Sequence, residues 1–194
     1  MKKVMLLLAN GFEMYEAAVF TDVFGWNNDE IAEDKVELIT VGLRDRIKCT
    51  WNFTVIPEKL ISEVNIDEYD ALAIPGGFEE AGFYEDAYSK TFLQLIKDFN
   101  DQGKIISSVC VAALPVAKSG ALNGRKGITF HLNEGYRTKQ LQEFGVELSD
   151  TLFTEDDNIV TCSGPGNAMQ VALNLLERLT SKENMEKVKF AMGF

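Results

Sequence analysis

The chain alternates short, wholly apolar runs with longer amphipathic stretches. Residues 3–9 (KVMLLLA) are almost continuously apolar, the mark of a strand buried on both faces. A helix is expected over about 14–26. Residues 36–41 read as a second strand, and 49–57 alternate as an edge hairpin strand. Residues 71–74 form a third buried strand that stops at Pro75-Gly76-Gly77. In 90–102, Phe92, Leu95, Ile96 and Phe99 share one helical face, and Gly103 closes the helix. A buried strand over 104–109 leads to Cys110. A helix over 111–119 follows, with Pro115 in or near its first turn. The remaining elements are a short strand over 127–130, a helix over 134–144, a strand over 159–161 and an amphipathic last helix over 168–179. Strand and helix alternate throughout, without repeats or linkers. The expectation is a single α/β domain over 1–194, with a mostly parallel sheet and helices on both faces. In such folds ligands bind at the carboxyl ends of the strands. Five loops are expected to rim that edge, carrying Gly11 with Glu16, Gly76-Gly77, Cys110, His131, and Gly164-Pro165-Gly166.

Charge narrows the partners. The 194 residues include 19 basic and 30 acidic ones, for a net charge of −11. No basic stripe is available for nucleic acid, and an acidic surface is repelled by anionic membranes. The opening MKKVMLLLANGFE has a basic end and an apolar run, but the run is too short to span a membrane and lacks a signal cleavage pattern. It reads as a buried strand, and a reducing cytoplasm is the expected compartment. Cys49, Cys110 and Cys162 are too few and too scattered for a disulfide framework. No pair has metal-ligand spacing and His131 is the single histidine, so no metal is expected.

Cys110 carries the strongest chemical signal. A nucleophile elbow needs small residues two before and two after the nucleophile, and Ser108 and Ala112 meet that need. The elbow would set the sulfur at a helix N-terminus, whose dipole and free N–H groups favour a thiolate and an oxyanion. The bland alternative is an inert cysteine at a strand end. Glu16, in the first turn of the first helix, is its natural partner if the two strands are neighbours. Protonated by burial, it would donate to the sulfur and act as general acid or base. Glu13 is expected at the helix start in a dipole role, exposed to solvent. His131 is either a structural histidine or a proton-transfer partner for the cysteine. Gly76-Gly77 offers backbone N–H groups to a small ligand or serves a turn needing positive φ. Gly164-Pro165-Gly166 reads as a tight turn starting the last helix, and Cys49 as a thiol open to oxidation if exposed.

The stretch CVAALPVAKSGALNGRKGITFH (110–131) resembles the ThiJ/PfpI family. So do LLLANGFEMYEAAVFTDVF near the start, AIPGG (73–77) and SGPGNAMQVAL (163–173), in the family's order along nearly the whole chain. The resemblance implies a flavodoxin-like three-layer sandwich and a homodimer. It implies Cys110 as nucleophile and redox-sensitive thiol, Glu16 as its protonated partner, and His131 as an accessory. Gly76, Gly77 and Val111 would be backbone donors to substrate or oxyanion. The implied activities act on small electrophiles without a cofactor. They are a glyoxalase or deglycase acting on reactive carbonyls in stress defence, an isonitrile hydratase, or a non-enzymatic redox sensor or chaperone. Val111 stands where the protease branch has histidine directly after its cysteine, which disfavours peptidase activity.

Overall fold

The structure is a computed structural model and describes residues 1–29 and 34–194. In chain order its strands are β1 (Lys2–Leu8), β2 (Val36–Gly42), β3 (Ile47–Lys48), β4 (Thr54–Val55), β5 (Lys59–Leu60), β6 (Ala71–Ile74), β7 (Ile105–Ser108), β8 (Lys126–Gly127), β9 (Glu147–Leu148), β10 (Phe153–Asp156) and β11 (Ile159–Cys162). Its α-helices are α1 (Met14–Asn28), α2 (Phe83–Ala87), α3 (Lys90–Asp101), α4 (Ala113–Lys118), α5 (Tyr136–Glu143), α6 (Ala168–Leu179) and α7 (Lys182–Ala191).

A seven-stranded sheet runs in the order β10-β11-β7-β6-β1-β2-β5. Its strands are parallel except β10, which pairs antiparallel with β11. Val4 to Leu7 and Ala71 to Ile74 are buried, as continuous apolar runs require at the centre of a sheet covered on both faces. Chain direction explains the two helix layers. The β1-α1-β2 step moves one way along the sheet and the step from β6 through α3 to β7 moves the other way. Right-handed crossovers then put α1 and α3 on opposite faces. α6 and α7 pack with α1, while α3 covers β6 and β7. The expected α/β flavodoxin-like architecture is the one observed. No helix among the described residues is long and apolar enough to cross a membrane.

Several local expectations are corrected. Residues 49–57 do not form one strand; the antiparallel pair β3–β4 stands apart from the main sheet, and Cys49 beside it is buried. The strand expected over 127–130 ends at Gly127, because the next two residues bond elsewhere: Ile128 N–H donates to Thr161 Oγ1 and Thr129 Oγ1 to the Cys110 carbonyl. β8 pairs with β9 in a separate small sheet, so His131 does not follow a strand of the main sheet. The helix expected from 134 begins at Tyr136, since Asn133, Glu134 and Gly135 all have positive φ and cannot start a right-handed turn.

Candidate active site

The loops after β1, β6, β7 and β11 carry the site. β1 and β7 are not neighbours, as the pairing of Glu16 with Cys110 first suggested; β6 runs between them. The Gly76-Gly77 turn therefore lies between the acid and the thiol. The β1 and β6 loops are tied together, with Glu13 N–H donating to the Gly76 carbonyl at 2.8 Å and an antiparallel bridge joining Phe12 to Gly77.

Cys110 occupies a sharp elbow. Its φ is +57°, in the left-handed region that a side chain other than glycine's rarely adopts. A short 3-10 turn, Cys110–Ala112, follows and then α4. Thr129, fully buried, holds the bend by donating its hydroxyl to the Cys110 carbonyl at 2.9 Å. Ser108 and Ala112 are both buried without exposed surface, consistent with the need for small residues around the bend.

Glu16 is fully buried on the first turn of α1. Its Oε2 accepts the Gly76 N–H at 2.6 Å, while Oε1 meets no nitrogen or oxygen partner among the described residues. The thiol of Cys110 shares that space, and the two groups act on each other's titration. Burial raises the Glu16 pKa to about 8; the Gly76 N–H opposes the shift and the Glu13 charge adds to it. Burial also pushes the Cys110 thiol well up, and the Glu16 charge adds to that, while the Val111 N–H pulls the other way. Each group opposes ionisation of the other: below about 8 Glu16 keeps its proton, and the Cys110 thiolate is then disfavoured by desolvation and favoured by the Val111 N–H.

The glycines are needed for room rather than for positive φ, which neither has. A Cβ on Gly76 would stand 2.8 Å from Glu16 Oε2 and 3.0 Å from Cys110 Cβ. A Cβ on Gly77 would stand 2.3 Å from the Gly11 carbonyl oxygen. Glu13 is buried rather than exposed. It caps α1, its Oε2 accepting the Glu16 N–H at 2.9 Å and its Oε1 the Trp51 Nε1–H at 3.0 Å.

These residues open on a cavity of about 340 Å³, walled by Glu13, Glu16, Gly77, Cys110, Val111 and Pro165 among others. Gly76 lies behind it, against Glu16. His131 does not line it; that residue is exposed, although Phe130 and Asn133 reach the wall. Sequence reasoning missed the outer wall, made by Phe78, Glu79, Glu80, Tyr136 and Arg137. Arg137 Nη2 lies 2.7 Å from Glu79 Oε2, and its guanidinium is 5.0 Å from the Tyr84 ring and 4.9 Å from the Tyr136 ring. Only its position shortly after the 110–131 stretch could have drawn notice. Cys162 is fully buried, and burial raises its thiol pKa to about 11. No group of three or more His, Cys, Asp or Glu among the described residues could hold a metal ion.

Comparison with known proteins places this geometry in context. The family model described as DJ-1/PfpI family matches residues 2–178. Protein DJ-1alpha of Drosophila melanogaster is 29% identical over 194 residues, covering 98% of this chain and 83% of the relative. The glutathione-independent glyoxalase DJ-1 of Schizosaccharomyces pombe is 29% identical over 198 residues, covering 97% and 96%. The crystal structure of Drosophila melanogaster DJ-1beta superposes with a TM-score of 0.85 at 24% identity, covering 98% of this chain and 97% of that one.

Proposed function

Since the chain belongs to the DJ-1/PfpI family, we propose that it is a cysteine-dependent enzyme acting on small reactive carbonyls of the 2-oxoaldehyde type, without a cofactor. One observation carries this reading: a carboxyl with a pKa of about 8 is buried beside Cys110, and both line one cavity. A general base works best when its pKa lies near the operating pH. The ionised fraction of Glu16 takes the thiol proton as Cys110 sulfur adds to the aldehyde carbon, forming a hemithioacetal. The same carboxyl then returns a proton to the substrate. Transfer of hydrogen from the first carbon to the second gives a thioester of the hydroxy acid, and water releases it. Methylglyoxal plus water becomes lactate, so no external oxidant or reductant is consumed. The Val111 N–H and the Gly77 backbone line the cavity where the oxyanion would develop, whereas the Gly76 N–H is already given to Glu16 and is not free to serve it as expected. His131, exposed and away from the cavity wall, takes no part in this proposal. The relative named as a glyoxalase supports the choice of substrate class. Incubation with methylglyoxal is expected to yield lactate with the native chain and none with Cys110→Ala. Equal yields from both would end the proposal.

A second reading is favoured by the contact of the buried Glu16 carboxyl with the Cys110 thiol, its Oε1 being free of nitrogen and oxygen partners among the described residues. Two equivalents of hydrogen peroxide would oxidise Cys110 to the sulfinic acid, releasing two waters, and the Glu16 proton would bind a sulfinate oxygen. Cys110 is 9% exposed against 2% for Cys49 and 0% for Cys162. Mild peroxide should therefore add two oxygens at Cys110 first. Peptide mapping that finds Cys49 or Cys162 oxidised earlier would remove this reading.

The proposal includes a homodimer of a single domain spanning 1–194, and a cytoplasmic location suited to three free thiols. Cell fractionation tests the location.

A further inference from the structure

Trp51 stands outside the cavity but is tied to its wall. It lies in the turn of the β3–β4 hairpin, which is apart from the main sheet and bound instead to the loop between β1 and α1. Gly11 N–H donates to the Lys48 carbonyl at 2.7 Å, Thr50 N–H to the Phe12 carbonyl at 2.8 Å, and the Thr50 hydroxyl to the Gly11 carbonyl at 2.7 Å. Next in the hairpin, Trp51 Nε1–H reaches Glu13 Oε1 at 3.0 Å. Its ring packs edge-on to Phe78, which lines the cavity, with centroids 5.3 Å apart.

Glu13 carries that contact inward. Its Oε2 receives the Glu16 N–H at 2.9 Å, so one carboxylate joins the indole to the first turn of α1. Short side chains such as those of serine and aspartate are the usual helix caps. A glutamate has more rotamer freedom to lose in folding back on its own helix. A donor fixed on a neighbouring element offsets that loss by selecting the capping rotamer. Trp51 is 59% exposed, so its ring adds little to the core, and its one donor is given to a buried acid.

We propose that Trp51 is a positioning residue for the acid–thiol pair: its N–H fixes the Glu13 carboxylate, which fixes the start of α1 and so the placing of Glu16 against Gly76 and Cys110. The inference rests on the reading of Glu16 and Cys110 as the working pair, and it adds a residue from outside the cavity that sets their geometry.

Electrostatics supply the signal to follow. Glu16 and Cys110 interact, so they lose their first proton as a pair. Facing them are Glu13 on α1, the Gly76 N–H after β6, the Val111 N–H at the elbow, Cys162 at the end of β11, and Glu79, Glu80 and Arg137 on the outer wall. The Glu13 charge raises the Glu16 pKa. Without the indole donor Glu13 Oε1 turns to water, its charge acts less on Glu16, and the loosened first turn lets water reach the carboxyl. Both changes let the pair ionise at lower pH.

Two variants separate the donor from the ring. Trp51→Phe keeps a ring against Phe78 and removes the N–H. Trp51→Gln removes the ring and keeps an N–H donor the same number of bonds from Cα. The rate of Cys110 alkylation by iodoacetamide is followed against pH by the mass of the labelled peptide. The midpoint for the native chain is expected near 8. Trp51→Phe should lower it by roughly half a unit or more, and Trp51→Gln should restore it. Since Trp51 acts through Glu13, adding Trp51→Phe to Glu13→Gln should move the midpoint no further than Glu13→Gln alone. A midpoint unchanged in Trp51→Phe, no restoration by Trp51→Gln, or additive shifts in the double variant overturns the proposal and leaves the pair intact. A native chain whose alkylation shows no such midpoint removes the acid–thiol reading, and the proposal falls with it.

Discussion

Glu16 keeps its proton because burial removes the water that would solvate its charge, and that has a consequence for stability. Its folded pKa of about 8 lies above the ordinary value of 4.5. Between these two pH values the folded state binds more protons at this site than the unfolded state does. Stability from this group is therefore full below about 4.5 and declines as pH rises, until Glu16 itself ionises near 8. The steepest loss is about 1.4 kcal/mol per pH unit. Glu16→Gln has no proton to lose. Its urea midpoint should gain on that of the native chain from pH 5 to 8 and then run parallel to it, while the rise of native lactate production through pH 8 disappears in the variant. A constant difference across this range would mean that Glu16 is ionised throughout. The meeting of Glu16 and Cys110 was legible because both stand at ends of buried runs with small or turn residues around them. Arg137 was not: its helix carries mostly polar residues, and its ion pair with Glu79 spans 58 positions of sequence.

Among the elements, the elbow after β7 depends on a segment with almost no regular structure of its own. Residues 128–130 are held by side-chain bonds, Thr161 Oγ1 receiving Ile128 N–H at 3.0 Å and Thr129 Oγ1 reaching the Cys110 carbonyl. A left-handed φ at a residue other than glycine costs on the order of 1–3 kcal/mol, so the surroundings must hold it. Thr129→Val keeps the shape and removes the donor. It should lower stability by roughly 1–3 kcal/mol and slow labelling of Cys110 by iodoacetamide, with Thr129→Ser restoring both. Unchanged labelling in the valine variant would show that the bend is fixed by other contacts. The buried central strands and the amphipathic α3 and α6 were readable from periodicity. β10 and α7 were not. β10 (FTED) is an edge strand with few apolar residues, and α7 buries only Asn184, Met185 and Val188. Such elements are set by the neighbours they pack on, which a local pattern does not contain.

For the whole molecule, net charge is legible in the sequence and burial is not. Four aromatic residues stand early in the chain, Phe12, Phe20, Phe24 and Trp26. The first three are core residues and Trp26 alone is exposed, at 42%. Apolar surface is found on the β3–β4 hairpin, where Phe53 and Ile56 are 67% and 71% exposed beside a small groove lined by Ala17, Ala18 and Val55. Two copies meeting there would bury apolar area against a repulsion between two bodies of charge −11 each. The attraction is short-ranged and little affected by moderate salt. The repulsion is long-ranged and is screened once the Debye length falls to a few Å, as it does near 1 M salt. The proposed homodimer should therefore tighten as salt rises. Light scattering should give about twice the 21.7 kDa of one chain, and the dissociation constant should fall on going from low salt to about 0.5 M sodium chloride. The double variant Phe53→Ser with Ile56→Ser should stay monomeric at both. A native chain that is monomeric throughout removes the dimer, and one that loosens with salt would be held by charge pairs rather than by this hairpin.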